Sequence, residues 1–233
     1  MNQKKNYAAI ILGASEYASE CLNNETFKST AGHFAAYLKK TFHPAIKNLF
    51  NRKIDGLYEE IKNFIDDNAD TDVFFLYYVG HGINDEDLYL GTASSNQSDS
   101  FRSLSLKELV KIIKKYAGSI PFILIIDCCY SGELSKHITT IVKEKDHEKG
   151  ISVICAATAD KRAVCKSYSD CSQFTGELLD LLNTGIKYKN RNLSLNDVFI
   201  ELRTVFRKKG LKPIPVAFTS QGGNPSLIEL FPN

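Results

Sequence analysis

Two uninterrupted apolar runs, Val73–Val79 and Phe122–Ile126, constrain this chain more than any other feature. Each has the length of a strand rather than of a helix, is rich in Phe, Ile and Tyr, and carries no charge. A strand that is apolar on both faces must be covered on both faces, which is the condition of a parallel sheet between helical layers. In such sheets reactive groups collect in the crevice outside the carboxyl ends of the strands. Both runs end in chemistry. The first leads into Gly80-His81-Gly82 and the second into Asp127-Cys128-Cys129-Tyr130-Ser131-Gly132. Neighbouring strands lie only about 5 Å apart, so a His and a Cys on adjacent strand ends can meet across a substrate. That is the arrangement of a thiol nucleophile and its base.

The remaining pattern alternates strand-like and helical periods, which predicts an α/β fold with a mostly parallel sheet and helices on both faces. Ala8–Gly13 and Ile151–Ala157 read as further strands. Ser29–Phe42 places Ala31, Phe34, Ala35 and Leu38 on one stripe, and Ile54–Asn68 is a one-sided amphipathic helix. Ser105 with Glu108 forms a capping-box pattern ahead of Leu109, Ile112, Ile113 and Tyr116. Phe174–Leu182 is a helix closed by Gly185, and Ser194–Lys209 is the last, with Ser194 as cap and Gly210 beyond its end. Pro213–Thr219 reads as a final strand, demoted by its prolines to an edge or a bulge. No repeat or linker interrupts the pattern, so a single domain over 1–233 is expected, with a densely charged stretch in 133–150 as its one irregular interval.

At 233 residues, 43% hydrophobic and 24% charged, the chain has the material for one core. A net charge of +2 gives no reason to expect nucleic acid or a membrane surface as partner, and no apolar run reaches the length of a membrane span. The six cysteines lack a Cys-x-x-Cys pair and are too sparse for a disulfide scaffold, which points to a reducing cytoplasm. They form no zinc pattern either, so no metal site is expected from them.

A thiol near its ordinary pKa of about 8.5 is mostly protonated at neutral pH, so the nucleophile needs a base. His81 is the candidate base; His137 lies outside any motif and reads as a loop residue. Adjacent residues of a strand point to opposite faces. Only one of Cys128 and Cys129 can therefore face the crevice, and alternation alone does not say which.

An apolar strand into Gly-His-Gly, followed by a second into Asp-x-Cys-x-Ser-Gly, resembles the caspase-like cysteine peptidases, the group of caspases, metacaspases and their bacterial relatives. The His stands about 50 residues upstream of the Cys in caspases, and His81 to Cys129 is close to that. Asp127 and Ser131 bring the chain nearer to the metacaspases. The resemblance implies a three-layer caspase-like sandwich, with a large-part-like region 1–132, the connecting loop 133–150 and a small-part-like region 151–233. It selects Cys129 as nucleophile and leaves Cys128 to packing. His81 becomes the acid and base, and the backbone N–H groups of Gly82 and Cys129 the oxyanion hole.

The resemblance further implies a pocket for a basic residue, with Asp127 matching the metacaspase pocket acid and Asp160 as a second acid whose alignment is offset. A carboxylate there pairs with guanidinium and repels an acidic side chain. Cleavage after Arg or Lys is therefore expected. A basic-specific enzyme would also find Lys143, Lys145 and Lys149 in its own connecting loop, where relatives are cut during activation. Bacterial relatives of this size serve in antiviral defence or cell suicide under a separate sensor or activating protein. Asn84-Asp85-Glu86-Asp87 offers loop oxygens of the kind that bind calcium in some metacaspases, but its spacing is not that of an EF-hand and a solvated loop is the simpler reading. No other cofactor is implied. The alternatives are a catalytically silent caspase-like adaptor and a redox-sensing thiol protein built on Cys128-Cys129. The first has no need of an intact His81 and Cys129, and the second leaves His81 unexplained.

Overall fold

The structure, a computed structural model, describes residues 5–85, 87–96, 100–118, 120–128, 150–156, 170–212, 214–219 and 225–233. Its centre is a six-stranded sheet. The strands are β1 (Tyr7–Gly13), β2 (Ala45–Phe50), β3 (Val73–Val79), β7 (Phe122–Asp127), β8 (Ile151–Cys155) and β10 (Val216–Thr219), in the order β10-β8-β7-β3-β1-β2. All neighbours are parallel except β10, which runs antiparallel along β8 as an edge strand. The chain passes from β1 outward to β2 and then returns to β3 on the other side of β1, so the order reverses between β1 and β3. Such a reversal opens a crevice at the carboxyl ends of the two strands.

Period-two alternation assigns the side chains of β3 and β7 to two cores. Phe74, Leu76 and Tyr78 of β3, with Phe122, Leu124 and Ile126 of β7, pack under α2 (Leu57–Asp67) and α3 (Leu106–Tyr116). Phe75, Tyr77 and Val79, with Ile123 and Ile125, face α1 (Glu25–Phe42), α4 (Gln173–Thr184) and α5 (Leu195–Lys208). Register partners Phe74 and Phe122 stack with centroids 4.8 Å apart, and Phe34 of α1 stacks on Tyr77 at 4.1 Å. Aromatic pairs of this kind add roughly 1 kcal/mol each beyond area burial.

Helix starts follow local capping chemistry. Asn24 accepts from the Thr26 N–H, so α1 begins earlier than its apolar stripe predicts. Ser105 accepts from the Glu108 N–H at α3, and Ser194 and Asp197 cap α5 reciprocally. Six short or edge strands escape the sequence pattern: β2, the small sheet β4 (Gly82–Asn84), β5 (Leu88–Leu90) and β6 (Leu104–Ser105), and the pair β9 (Leu193–Ser194) with β11 (Glu229–Phe231). Gly13 ends β1 at φ +138°, and a Cβ there would stand 1.9 Å from the Val79 carbonyl oxygen. Only glycine lets β1 close on β3 at the crevice.

Candidate active site

β3 delivers His81 to the crevice two residues past Val79. The Gly80 N–H donates to the Asp127 carbonyl at 3.2 Å, so the ladder with β7 runs one residue past the end of β3. His81 is half-buried. Its ring lies between Tyr17, at a centroid distance of 5.1 Å, and Phe27 of α1, at 5.2 Å and edge-on. Nε2 stands 2.8 Å from the carbonyl oxygen of Leu22, in the 3₁₀ turn Glu20–Leu22. A carbonyl only accepts, so Nε2 carries the proton, and the neutral imidazole presents Nδ1 as its acceptor. The main chain of His81 is bonded on both sides. Its N–H donates to the Tyr17 hydroxyl at 3.1 Å, and its carbonyl accepts from the Gly91 N–H at 2.8 Å and the Tyr78 hydroxyl at 2.7 Å. Gly82 opens β4, opposite Leu90.

Asp127, the last residue of β7, stands opposite Val79 and is 2% exposed. Its Oδ2 accepts from the hydroxyls of Ser172, the N-cap of α4, and of Thr175 in the first turn, the latter at 2.6 Å. With the carboxylate ionised, the one Thr175 proton goes to Asp127, and the Tyr77 hydroxyl, 2.7 Å away, donates to Thr175. The Ser172 N–H is taken by Thr30 of α1 at 2.8 Å. Burial pushes the carboxyl of Asp127 up from its ordinary range, while the bonds from Ser172 and Thr175 pull it back down. Asp127 is thus seated on the N-terminal end of α4, where donors and helix dipole favour an anion.

Cys128 is 5% exposed and packs in the core under α2 and α3. Cys129, His137, Lys143, Lys145, Lys149 and Asp160 lie outside the described residues. The described acids of the proposed calcium loop are bonded within the protein. Asp85 accepts from the Ser100 hydroxyl at 2.9 Å. Asp87 accepts from Ser105 Oγ at 2.6 Å and from the N–H groups of Lys107 and Leu88. No group of three or more side chains able to hold a metal gathers among the described residues. Among these residues, too, no helix is long and apolar enough to cross a membrane.

The sequence motifs did not mark Tyr17, Leu22, Phe27, Ser172 or Thr175. Neither Gly80 nor Gly82 has a positive φ, so no left-handed turn accounts for the glycines beside His81.

The caspase domain of the C14 peptidases matches residues 7–222. Protein GSU0716 from Geobacter sulfurreducens is similar over 97% of both chains, with a TM-score of 0.66 and 18% identity. Pro-sf-caspase-1 is similar over 94% of this chain and 92% of its own, with a TM-score of 0.58 and 14% identity. At these identities the two structures speak for the fold. Among curated proteins none matches the sequence.

Proposed function

The chain belongs to the caspase-domain family of cysteine peptidases, and we propose that it cleaves proteins after Arg or Lys with Cys129 as nucleophile and His81 as acid and base. One observation carries this reading. β3 and β7 are paired with an offset of 48 residues, Val79 opposite Asp127, and His81 and Cys129 are separated by the same 48. Were that register carried on by two residues, it would set them side by side, about one strand spacing of 5 Å apart. Period two would also turn both toward the face of Val79 and Asp127.

The proposed reaction begins with transfer of the Cys129 proton to His81 Nδ1. The thiolate attacks the scissile carbonyl carbon, and the oxyanion is held by the N–H groups of Gly82 and Cys129. Such a donor is worth about 100- to 1000-fold in rate. Collapse breaks the C–N bond as His81 protonates the departing amine. Water, deprotonated by the same imidazole, then hydrolyses the thioester. The Nε2–H bond to Leu22 fixes the tautomer that makes Nδ1 the base. Asp127 supplies the negative charge for the basic side chain, with Asp160 as its proposed companion.

Labelling with Arg- and Lys-chloromethylketones, mapped by mass spectrometry, tests the chemistry. Modification of Cys129 that vanishes in His81→Ala is expected; labelling at another cysteine, or none with a basic probe and efficient labelling with an Asp-ending one, refutes it. For the biological setting we propose, on the resemblance alone, a regulated role in defence or cell suicide, in the cytoplasm and under a separate activator. Unchanged phage sensitivity and growth in a Cys129→Ala strain count against it.

A further inference from the structure

We propose that Tyr17 and Tyr78 are positioning residues that clamp the main chain of His81 from its two sides and so set the reach of the imidazole to the sulfur; this rests on the Cys129–His81 reading. The two hydroxyls come from different parts of the fold, Tyr17 from the segment after β1 and Tyr78 from β3 itself. Tyr17 donates its proton to the Ala14 carbonyl at 2.7 Å, so its oxygen meets the His81 N–H as an acceptor. Tyr78 works in the opposite sense, donating to the His81 carbonyl at 2.7 Å with the Gly91 carbonyl 3.1 Å away. Both tyrosines are buried, 6% and 1% exposed, so water cannot readily replace either hydroxyl. Burial also raises the phenol of Tyr17 far above its ordinary pKa, which keeps it a neutral hydroxyl throughout the working range.

The clamp also accounts for the glycine before the histidine. A Cβ on Gly80 would stand 2.6 Å from the Tyr78 hydroxyl oxygen and 2.9 Å from that of Tyr17. The site is empty of side chain where the two hydroxyls converge. The ring tip is held by Leu22 and the main chain by two phenols, so the imidazole is fixed at three points. A displacement of about 1 Å in such an arrangement costs on the order of 100-fold in rate.

The test is the pH dependence of Cys129 alkylation by iodoacetamide, mapped by peptide mass spectrometry, in wild type, Tyr17→Phe, Tyr78→Phe and His81→Ala. Thermal melts and peptide kinetics accompany it. In Tyr17→Phe the His81 N–H loses its acceptor. We expect kcat to fall about 10- to 100-fold with KM nearly unchanged, and the alkylation midpoint to move up toward the ordinary thiol value of about 8.5. Tyr78→Phe leaves the Gly91 bond in place and moves both quantities in the same direction by less, so it remains readable if Tyr17→Phe fails to fold. A lower melting temperature with an unmoved midpoint and unchanged kcat in both variants marks the tyrosines as structural only and overturns the proposal. A midpoint that even His81→Ala leaves unmoved overturns the Cys–His reading, and the clamp with it. A midpoint moved by His81→Ala and by neither tyrosine variant overturns the clamp alone.

Discussion

Replacing Thr175 by Val keeps the shape of the side chain and deletes the hydroxyl that joins Tyr77 to Asp127. Two buried groups lose by it. The Tyr77 hydroxyl is left without its 2.7 Å acceptor, and Asp127 Oδ2 loses its 2.6 Å donor. A buried polar group left unsatisfied costs about 1–3 kcal/mol, and a hydrogen bond to a charged group is worth about 1.5–3 kcal/mol. With the carboxyl ionised the sum is about 2.5–6 kcal/mol. Its pH dependence carries the argument. Asp127 is raised by burial and pulled down by the two hydroxyls, so removing one raises it further. A carboxyl with a raised folded pKa contributes stability that is present below its unfolded pKa and lost as pH rises through the folded one. The deficit of Thr175→Val therefore grows with pH, from about 1–3 kcal/mol at an acid pH that protonates the carboxyl, where only the Tyr77 bond counts, to the full value at an alkaline pH that ionises it. Thermal melts of wild type and variant at both pH values read it, each kcal/mol being worth about 2–4 °C for a chain of this size. An equal deficit at both would refute the claim that Thr175 steadies a charge.

The same carboxyl sets a kinetic expectation. KM for an Arg-ending peptide should rise as pH falls through the raised Asp127 pKa, earlier than for an ordinary carboxylate, and a KM flat down to pH 4 would separate Asp127 from substrate binding. Gly13→Ala should cost more than about 3 kcal/mol, because the new Cβ meets the Val79 carbonyl at 1.9 Å; a melting temperature within about 2 °C of wild type would contradict that. Burial alone would raise Asp197, but bonds from Lys189 and Ser194 and the charge of Arg191 hold its carboxyl well below the usual range. Asp197→Asn should therefore melt lower than wild type at pH 7, and the gap should narrow as pH falls below about 4; a constant gap would count against the ion pairs. If Lys143, Lys145 or Lys149 is a self-cleavage point, concentrated wild type should lose its intact mass on incubation while Cys129→Ala does not.

The parts of the fold that the sequence makes legible are those where one rule dominates. β3 and β7 are buried on both faces, so their composition leaves no other reading. β2 is half-exposed at an edge, with Lys47 and Asn48 in its middle, and looks like a loop. The strands of the two small sheets are two or three residues long, too short for any period to show. His81 is legible because its glycines frame it, but what holds it is not. Leu22 acts through a carbonyl oxygen, which every residue has, from 59 positions away. Asp127 shows the same limit from the other direction. Its pocket role is what the resemblance to metacaspases implies, and only the packing of α4 reveals that two hydroxyls already grip one of its oxygens.

The position of β8 bears on what a cut in this chain would look like. It is laid directly along β7, while α4 and α5, which follow it, share a core with α1. A backbone break anywhere between residues 128 and 150 would leave two polypeptides knitted through one sheet. Gel filtration or native mass would report an unaltered particle, and only unfolding would release the fragments. Processing, if it happens, is an event to look for under denaturing conditions.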